Sequence, residues 1–117
     1  MAIHSFWKMW TEARTEMKAL RVFERFRLNL AREVLDRSIE PYPKIAGHVV
    51  TFWIVLESRS WNDSIVEAIA LGQRVGYQWT LSGDILFFPE GWSNNSNVPG
   101  IRSMHWMMDR RWIMPSA

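Results

Sequence analysis

The three histidines are the first residues to consider for chemistry, because imidazole is both a metal ligand and an acid or base near neutral pH. His4, His48 and His105 are widely separated along the chain. No two of them have the three- or four-residue spacing that places two imidazoles on one side of a helix around a metal ion. The sequence therefore predicts structural roles for these side chains, with no metal site and no cofactor.

Asp63 and Glu67 form the best-placed pair of carboxylates, since they are four residues apart on a predicted helix. Such a pair could share a metal ion or act as an acid and a base. Acidic residues near a helix N-terminus are also stabilised by the helix dipole alone. The sequence lacks a phosphate-binding loop, a dinucleotide-binding glycine pattern and a Gly-x-Ser-x-Gly turn. We therefore expect a protein that is not an enzyme.

Basic residues recur along the N-terminal third of the chain at intervals of three, four and seven, which lines them along one flank of a helix. These residues are Arg14, Lys18, Arg21, Arg25 and Arg32. A row of this kind can bind phosphates. Glutamates are interleaved with it, however, and pairs such as Glu33 with Arg37 favour an ordinary salt-bridged helix surface. Nucleic-acid binding by this region, helped by Arg110 and Arg111, is the alternative function that we retain.

Aromatic residues indicate a binding role most strongly, because the chain contains eight tryptophans and seven methionines in 117 residues. Tryptophan, methionine and arginine are enriched at the centres of protein interfaces. We therefore predict a small non-catalytic protein of the inhibitor, immunity or anti-defence type, with another protein as its partner and a second copy of itself as a further candidate. The predicted partner-binding residues are Trp92, Asn94, Asn95, Trp106, Arg110, Arg111 and Trp112.

Two of these assignments have a structural alternative. Met104, Trp106 and Met108 share one face of a predicted strand and would equally pack against helices. The segment GWSNNSNVPG, residues 91–100, has the Ser- and Asn-rich composition of recognition loops, but it could also be a plain connection. Both possibilities stay open at the level of sequence.

Composition places the chain among small globular domains. It is 48% hydrophobic and 22% charged, with a formal net charge of +2 and no cysteine. The absence of cysteine excludes disulfides and thiolate chemistry and is compatible with a reducing compartment. No signal-peptide pattern and no membrane-length apolar run occurs in the sequence, so we expect a cytoplasmic protein without membrane contact.

The predicted elements form one α+β domain covering residues 1–117. Residues 5–38 contain neither Gly nor Pro, which favours one long helix or two helices with a break near residues 15–20. The prolines of SIEPYPK predict a linker after them. A strand at 48–58 and a helix at 61–75 that begins with the capping box SWND follow. A hairpin at 77–88, with YQWTL and ILFF as its arms and SGD as its turn, and a last strand at 101–108 complete the chain. The expected order is therefore an N-terminal helical region and then β-α-β-β-β, in an antiparallel or mixed sheet with helices on one face.

Overall fold

The computed structural model describes residues 2–113 and consists of a six-stranded sheet, a two-stranded ribbon and two helices. The elements follow one another as β1 (Ile3–Thr11), α1 (Glu16–Leu30), β2 (Leu35–Tyr42), β3 (Gly47–Leu56), α2 (Trp61–Val75), β4 (Gly76–Tyr77), β5 (Thr80–Asp84), β6 (Phe88–Ser93), β7 (Asn95–Ser96) and β8 (Ile101–Met107). Short 3-10 turns occupy Pro43–Ile45 and Arg110–Trp112. No helix within residues 2–113 is long and apolar enough to cross a membrane.

The large sheet is antiparallel throughout, in the order β2-β3-β1-β8-β6-β5, while β4 and β7 form the ribbon. The elements β1, α1, β2, β3, α2 and β8 have the connectivity of the ferredoxin-like split β-α-β motif. The hairpin of β5 and β6 is inserted before the last of these strands and extends the sheet beyond β8. The fold is therefore α+β, as the sequence predicts, but with a different order of elements.

The core lies between the two helices and one face of the sheet. Alternate residues of β1 point into it, and Trp7 and Met9 are fully buried there. Phe23 and Phe26 of α1 contact the ring of Phe52, which lies in the middle of β3. Burial of such large apolar side chains is the main favourable term for folding a domain of this size. One face of the sheet is thus covered by helices, and the opposite face, which we call the open face, carries no helix.

The predicted N-terminal helical region is wrong in its first and last parts. Residues 3–11 form the central strand β1, and only Glu16–Leu30 is helical. No break between two helices exists at residues 15–20, because a strand precedes this region and α1 is continuous from Glu16. The helix begins there because the Thr15 side chain accepts a hydrogen bond from the backbone N–H of Lys18. The strand was missed because both of its faces carry aromatic residues, which hides the two-residue alternation.

The predicted linker SIEPYPK also has a different structure, because it belongs largely to the edge strand β2. Pro41 is tolerated there since an edge strand has one side without hydrogen-bonding partners. The helix at 61–75 is confirmed to the residue, with the Ser60 side chain as its N-cap. The strands predicted near 48–58 and 101–108 are confirmed as β3 and β8, and the predicted hairpin is displaced, with its arms at 80–84 and 88–93.

Residues 91–100 form a connection that is fixed by hydrogen bonds and packing, and not a free loop. Asn95–Ser96 form β7, which pairs with β4. β4 itself follows directly on the end of α2. The Asn97 side chain donates to the backbone carbonyl of Arg74 at 3.0 Å, and Val98 is buried in the core. The segment therefore joins α2 to the sheet, which favours the structural interpretation of its polar residues.

Candidate functional site

The open face carries a layer of aromatic rings that the helices do not cover. His4, Phe6, Lys8 and Trp10 alternate along β1 with the buried residues and point to this side. The Phe6 ring packs 4.8 Å from the ring of Trp53 on β3. Because neighbouring strands present such rings at the same level, the face has an apolar surface even without a covering helix.

Trp92, His105 and Glu90 form a connected group on the open face at β6 and β8. The indole of Trp92 lies over the imidazole of His105, with ring centroids 3.8 Å apart and planes within 21°. The indole N–H of Trp92 donates to Glu90 at 3.1 Å, and this bond is the main cause that lowers the pKa of the Glu90 carboxyl. Burial lowers the pKa of His105, against an opposing attraction from Glu90. The lowered pKa favours the neutral form of the imidazole that lies beneath the exposed indole.

The 3-10 turn after β8 brings Arg110 and Arg111 to the end of the sheet where β1 starts. The Asp109 carboxylate accepts hydrogen bonds from the backbone N–H and the guanidinium of Arg111, and these bonds lower its pKa. The Arg111 guanidinium lies 5.2 Å from the ring centre of Phe88. The Arg110 guanidinium lies 5.8 Å from the ring centres of both Trp61 and Phe87. Both arginines are thus positioned by aromatic rings.

Four consecutive apolar residues stand exposed at the tip of the β5–β6 hairpin, beside these arginines. We call this segment, Ile85, Leu86, Phe87 and Phe88, the apolar corner. The exposed fractions of the four residues are 49%, 59%, 46% and 45% respectively. This corner lies within the segment that the sequence assigned to an ordinary strand of the hairpin.

Hydrogen bonds fix the backbone of the apolar corner from three directions. The N–H of Phe87 donates to the Asp84 carbonyl at 3.0 Å, and the N–H of Arg110 donates to the Phe87 carbonyl at 2.9 Å. The indole N–H of Trp61, at the start of α2, donates to the Ile85 carbonyl at 3.3 Å. The corner is therefore a tight turn with a defined backbone, although its side chains face solvent.

A cavity of about 270 Å³ lies at the same end of the open face, lined by His4, Leu35, Asp36, Trp53, Arg111 and Trp112. The indoles of Trp53 and Trp112 meet edge to face, with centroids 5.0 Å apart. Nδ1 of His4 is buried there without a hydrogen-bond partner. This cavity and the apolar corner are neighbours, since Arg111 lines the first and stacks on Phe88 of the second.

The structure brings together part of the predicted partner-binding set. Trp92 is 41% exposed on the open face, and Arg110, Arg111 and Trp112 lie around the apolar corner and the adjacent cavity. Asn94 is exposed, and Asn95 is half-buried in the ribbon of β4 and β7. Trp106 must be removed from the set. Its side chain is 1% exposed, because it points from β8 toward the helices. Its ring centre lies 6.5 Å from that of Trp7 in the core.

The carboxylate pair that the sequence singled out has separate structural surroundings. Glu67 accepts hydrogen bonds from the backbone N–H groups of Glu57 and Ser58 and from the Ser58 hydroxyl. Asp63 is exposed in the first turn of α2, where the helix dipole favours it. Within residues 2–113 there is no group of three side chains of His, Asp or Glu placed to hold a metal ion. Glu67 thus anchors the connection between β3 and α2.

No protein-family model, curated protein or solved structure matches this chain. Its function is therefore inferred from its own surface.

Proposed function

We propose that the protein acts by binding another protein, as a small cytoplasmic inhibitor or immunity protein does, without catalysis of its own. The observation that carries this proposal is the apolar corner, where four adjacent large apolar side chains face solvent. Exposed apolar residues are common singly, but a contiguous group rimmed by polar residues is typical of an interaction site.

The apolar corner has the two properties that make an interface residue energetically important. Its side chains are large, so covering them with a partner removes much apolar surface from water, at about 25 cal/mol for each Å². Its backbone is already fixed by Asp84, Arg110 and Trp61, so little chain entropy is lost on binding. A pre-formed apolar tip of this kind supports a docking role over that of a flexible loop.

The surroundings of the corner match the usual anatomy of a protein interface. Arg110 and Arg111 are exposed beside the apolar side chains, and guanidinium groups are enriched at interface hot spots. β5 is an edge strand of the sheet, so its outer backbone N–H and C=O groups are available to pair with a further strand. Together they give an apolar centre, a polar rim and an available sheet edge.

The test replaces two residues of the apolar corner and compares the result with replacement of a more exposed apolar pair elsewhere. The corner variant is Leu86→Ser with Phe87→Ser, and the control is Met17→Ser with Leu28→Ser on α1, where both side chains are at least 65% exposed. A partner captured from native cells is purified, and its affinity for each variant is measured by calorimetry. We expect the corner variant to lose about 2 kcal/mol or more of binding free energy and the control to lose little. Equal losses in both variants, or an unchanged affinity of the corner variant, would refute the proposal.

Nucleic-acid binding is the second candidate, and α1 supplies the observation that favours it. Arg14, Lys18, Arg21 and Arg25 are exposed, and none of them forms an ion pair within the described part of the chain. The salt bridge expected between Glu33 and Arg37 is not formed, because the helix ends at Leu30. This cationic row lies on the helix side and begins at the end of the sheet opposite to Arg110 and Arg111. Any binding to phosphates must weaken steeply with added salt.

A further inference from the structure

A second cavity opens on the open face at the end opposite to the apolar corner. It encloses about 190 Å³ and is lined by Trp10, Tyr42, Ile45, Trp92, Arg102 and Ser103. We call it the Trp10 cavity. Three of the six lining residues are aromatic, one is a cation, and none is acidic. The cavity near the corner differs in this respect, since its lining includes Asp36.

The indoles of the Trp10 cavity are nearly parallel and partly open to solvent. Trp92 rests on His105 with one face of its indole, and the residue is 41% exposed. The ring of Trp10 lies 5.7 Å from that of Trp92, and the two planes are within 18° of each other. Nearly parallel indoles held against a sheet offer a platform on which another planar ring can stack.

The charges around this platform favour an anionic ligand. Arg102 is exposed where the register between β1 and β8 shifts, and it forms no ion pair among residues 2–113. Lys8 is paired with His105 across the two strands, next to Trp92. Glu90, two residues before Trp92 on β6, already binds the side chains of Trp92 and Ser82. A ligand with a planar ring and an adjacent negative charge fits these contacts.

We propose that the Trp10 cavity binds an unpaired base of a single-stranded nucleic acid, with Arg102 and Lys8 on the neighbouring phosphates. The inference rests on the second candidate function and adds the site and the form of nucleic acid bound. Bases in a duplex are stacked inside the helix and cannot reach such a platform, whereas unpaired bases stack readily on aromatic side chains.

The cationic row of α1 begins at the same end of the molecule. β1 ends at Thr11 beside the start of β8. Arg14 lies between β1 and α1, and Lys18 lies in the first turn of α1. A strand of several nucleotides that leaves the Trp10 cavity can therefore continue past this end toward the helix. Glu12 and Glu16 lie along this path and limit its positive charge, so the cavity is expected to contribute most of the affinity.

The experiment measures binding of fluorescein-labelled oligonucleotides to the full chain by anisotropy at low salt. The ligands are twelve-nucleotide oligo-dT and oligo-U, which separate DNA from RNA, and a twelve-base-pair duplex. The cavity variants are Arg102→Glu and Trp92→Leu, and the double variant Arg21→Glu with Arg25→Glu tests the helix α1. The control is Arg59→Glu, an exposed arginine at the opposite end of the sheet with the same change of charge as Arg102→Glu. Thermal unfolding of each variant establishes that it is folded.

We expect tighter binding to at least one single strand than to the duplex. Trp92→Leu should weaken that binding about tenfold, which corresponds to the loss of one stacked base. Arg102→Glu should weaken it as well and reduce the slope of log affinity against log salt by about 0.7, the value for one lost phosphate contact. Arg59→Glu should have little effect.

Two results would overturn the inference. If Arg21→Glu with Arg25→Glu removes binding while Arg102→Glu and Trp92→Leu do not, the helix binds nucleic acid and the cavity does not. If none of the three ligands binds at low salt, the inference and the second candidate function both fail. The protein-binding proposal is independent of either result, because the apolar corner lies at the other end of the sheet.

Discussion

Replacement of Glu67 by alanine should destabilise the protein strongly, although a glutamate on an amphipathic helix would ordinarily be exposed at the surface. Its oxygens accept hydrogen bonds from the N–H of Glu57 at 2.9 Å, from the N–H of Ser58 at 2.8 Å and from the Ser58 hydroxyl at 2.7 Å. The side chain is only 11% exposed and also lies 3.5 Å from the guanidinium of Arg32. Hydrogen bonds to a charged group contribute about 1.5–3 kcal/mol each, and water replaces part of them after truncation.

We expect Glu67→Ala to lower the free energy of unfolding by about 2–3 kcal/mol at pH 7 in a urea titration. Glu57→Ala is the matched control. Its carboxylate is also 3.5 Å from the Arg32 guanidinium, but the side chain is 75% exposed. An exposed ion pair contributes about 0–1 kcal/mol, so the control should be nearly neutral. The two variants thus compare a carboxylate that anchors backbone with one that only pairs on the surface.

The effect of Glu67 should also depend on pH. Burial raises the pKa of Glu67, but the hydrogen bonds from Glu57 and Ser58 and the charge of Arg32 outweigh it and leave the pKa below its ordinary value. A carboxyl with a lowered folded-state pKa stabilises the protein above its unfolded pKa, and this stability is lost as pH falls through the folded pKa. The difference between wild type and Glu67→Ala should therefore be complete at pH 7 and shrink below about pH 4.5. A loss under 0.5 kcal/mol at pH 7, or a difference that does not change with pH, would refute the anchoring role.

Three further outcomes follow from the structure. Gly91→Ala should lower stability by about 1–3 kcal/mol in chemical denaturation, because a Cβ at this position would lie 2.5 Å from Nε1 of the buried Trp106 ring; a neutral effect would contradict that packing. Ser60→Ala should cost about 1 kcal/mol, since it removes the N-cap of α2, and a thermal shift under 1 °C would argue against the cap. The pKa of His105, followed by NMR, should lie below its ordinary value because the imidazole is buried. It should rise in Trp92→Ala, because the Trp92 indole covers the imidazole ring. An unchanged pKa in this variant would show that the indole does not cause the burial that lowers it.

Local sequence signals were sufficient where one element carries its own start, stop and periodicity. The helix α2 has an N-cap at Ser60, an apolar stripe and Gly76 after its last residue, and its predicted bounds are confirmed. The same reasoning failed for residues 3–11, since a strand with rings on both faces shows neither helical nor strand periodicity clearly. Tertiary pairing with β3 and β8 decided that segment, and pairing over such sequence distances is not visible in a window of ten residues.

The sequence predicted which residue types belong to the candidate sites, but not where the fold places them. Arg110, Arg111 and Trp112 were expected to contact a partner, and the structure brings them to the apolar corner and its neighbouring cavity. The corner itself was missed, because ILFF after SGD reads as the second arm of a hairpin. The register of β5 with β6 moves the turn to residues 85–87 and leaves these side chains outside. A shift of a few residues in a hairpin thus changes which apolar groups face the core.

The surplus of tryptophan has two physical causes, and neither of them requires a partner. Trp7, Trp61 and Trp106 are buried in the core. On the open face, Trp53 packs against Phe6 and Trp112, so these rings cover a sheet that no helix covers and would be needed even without a partner. The aromatic count alone therefore does not distinguish a binding protein from a sheet that shields itself. The proposal of a binding role rests instead on the apolar corner, whose side chains remain about half exposed although hydrogen bonds hold the backbone beneath them.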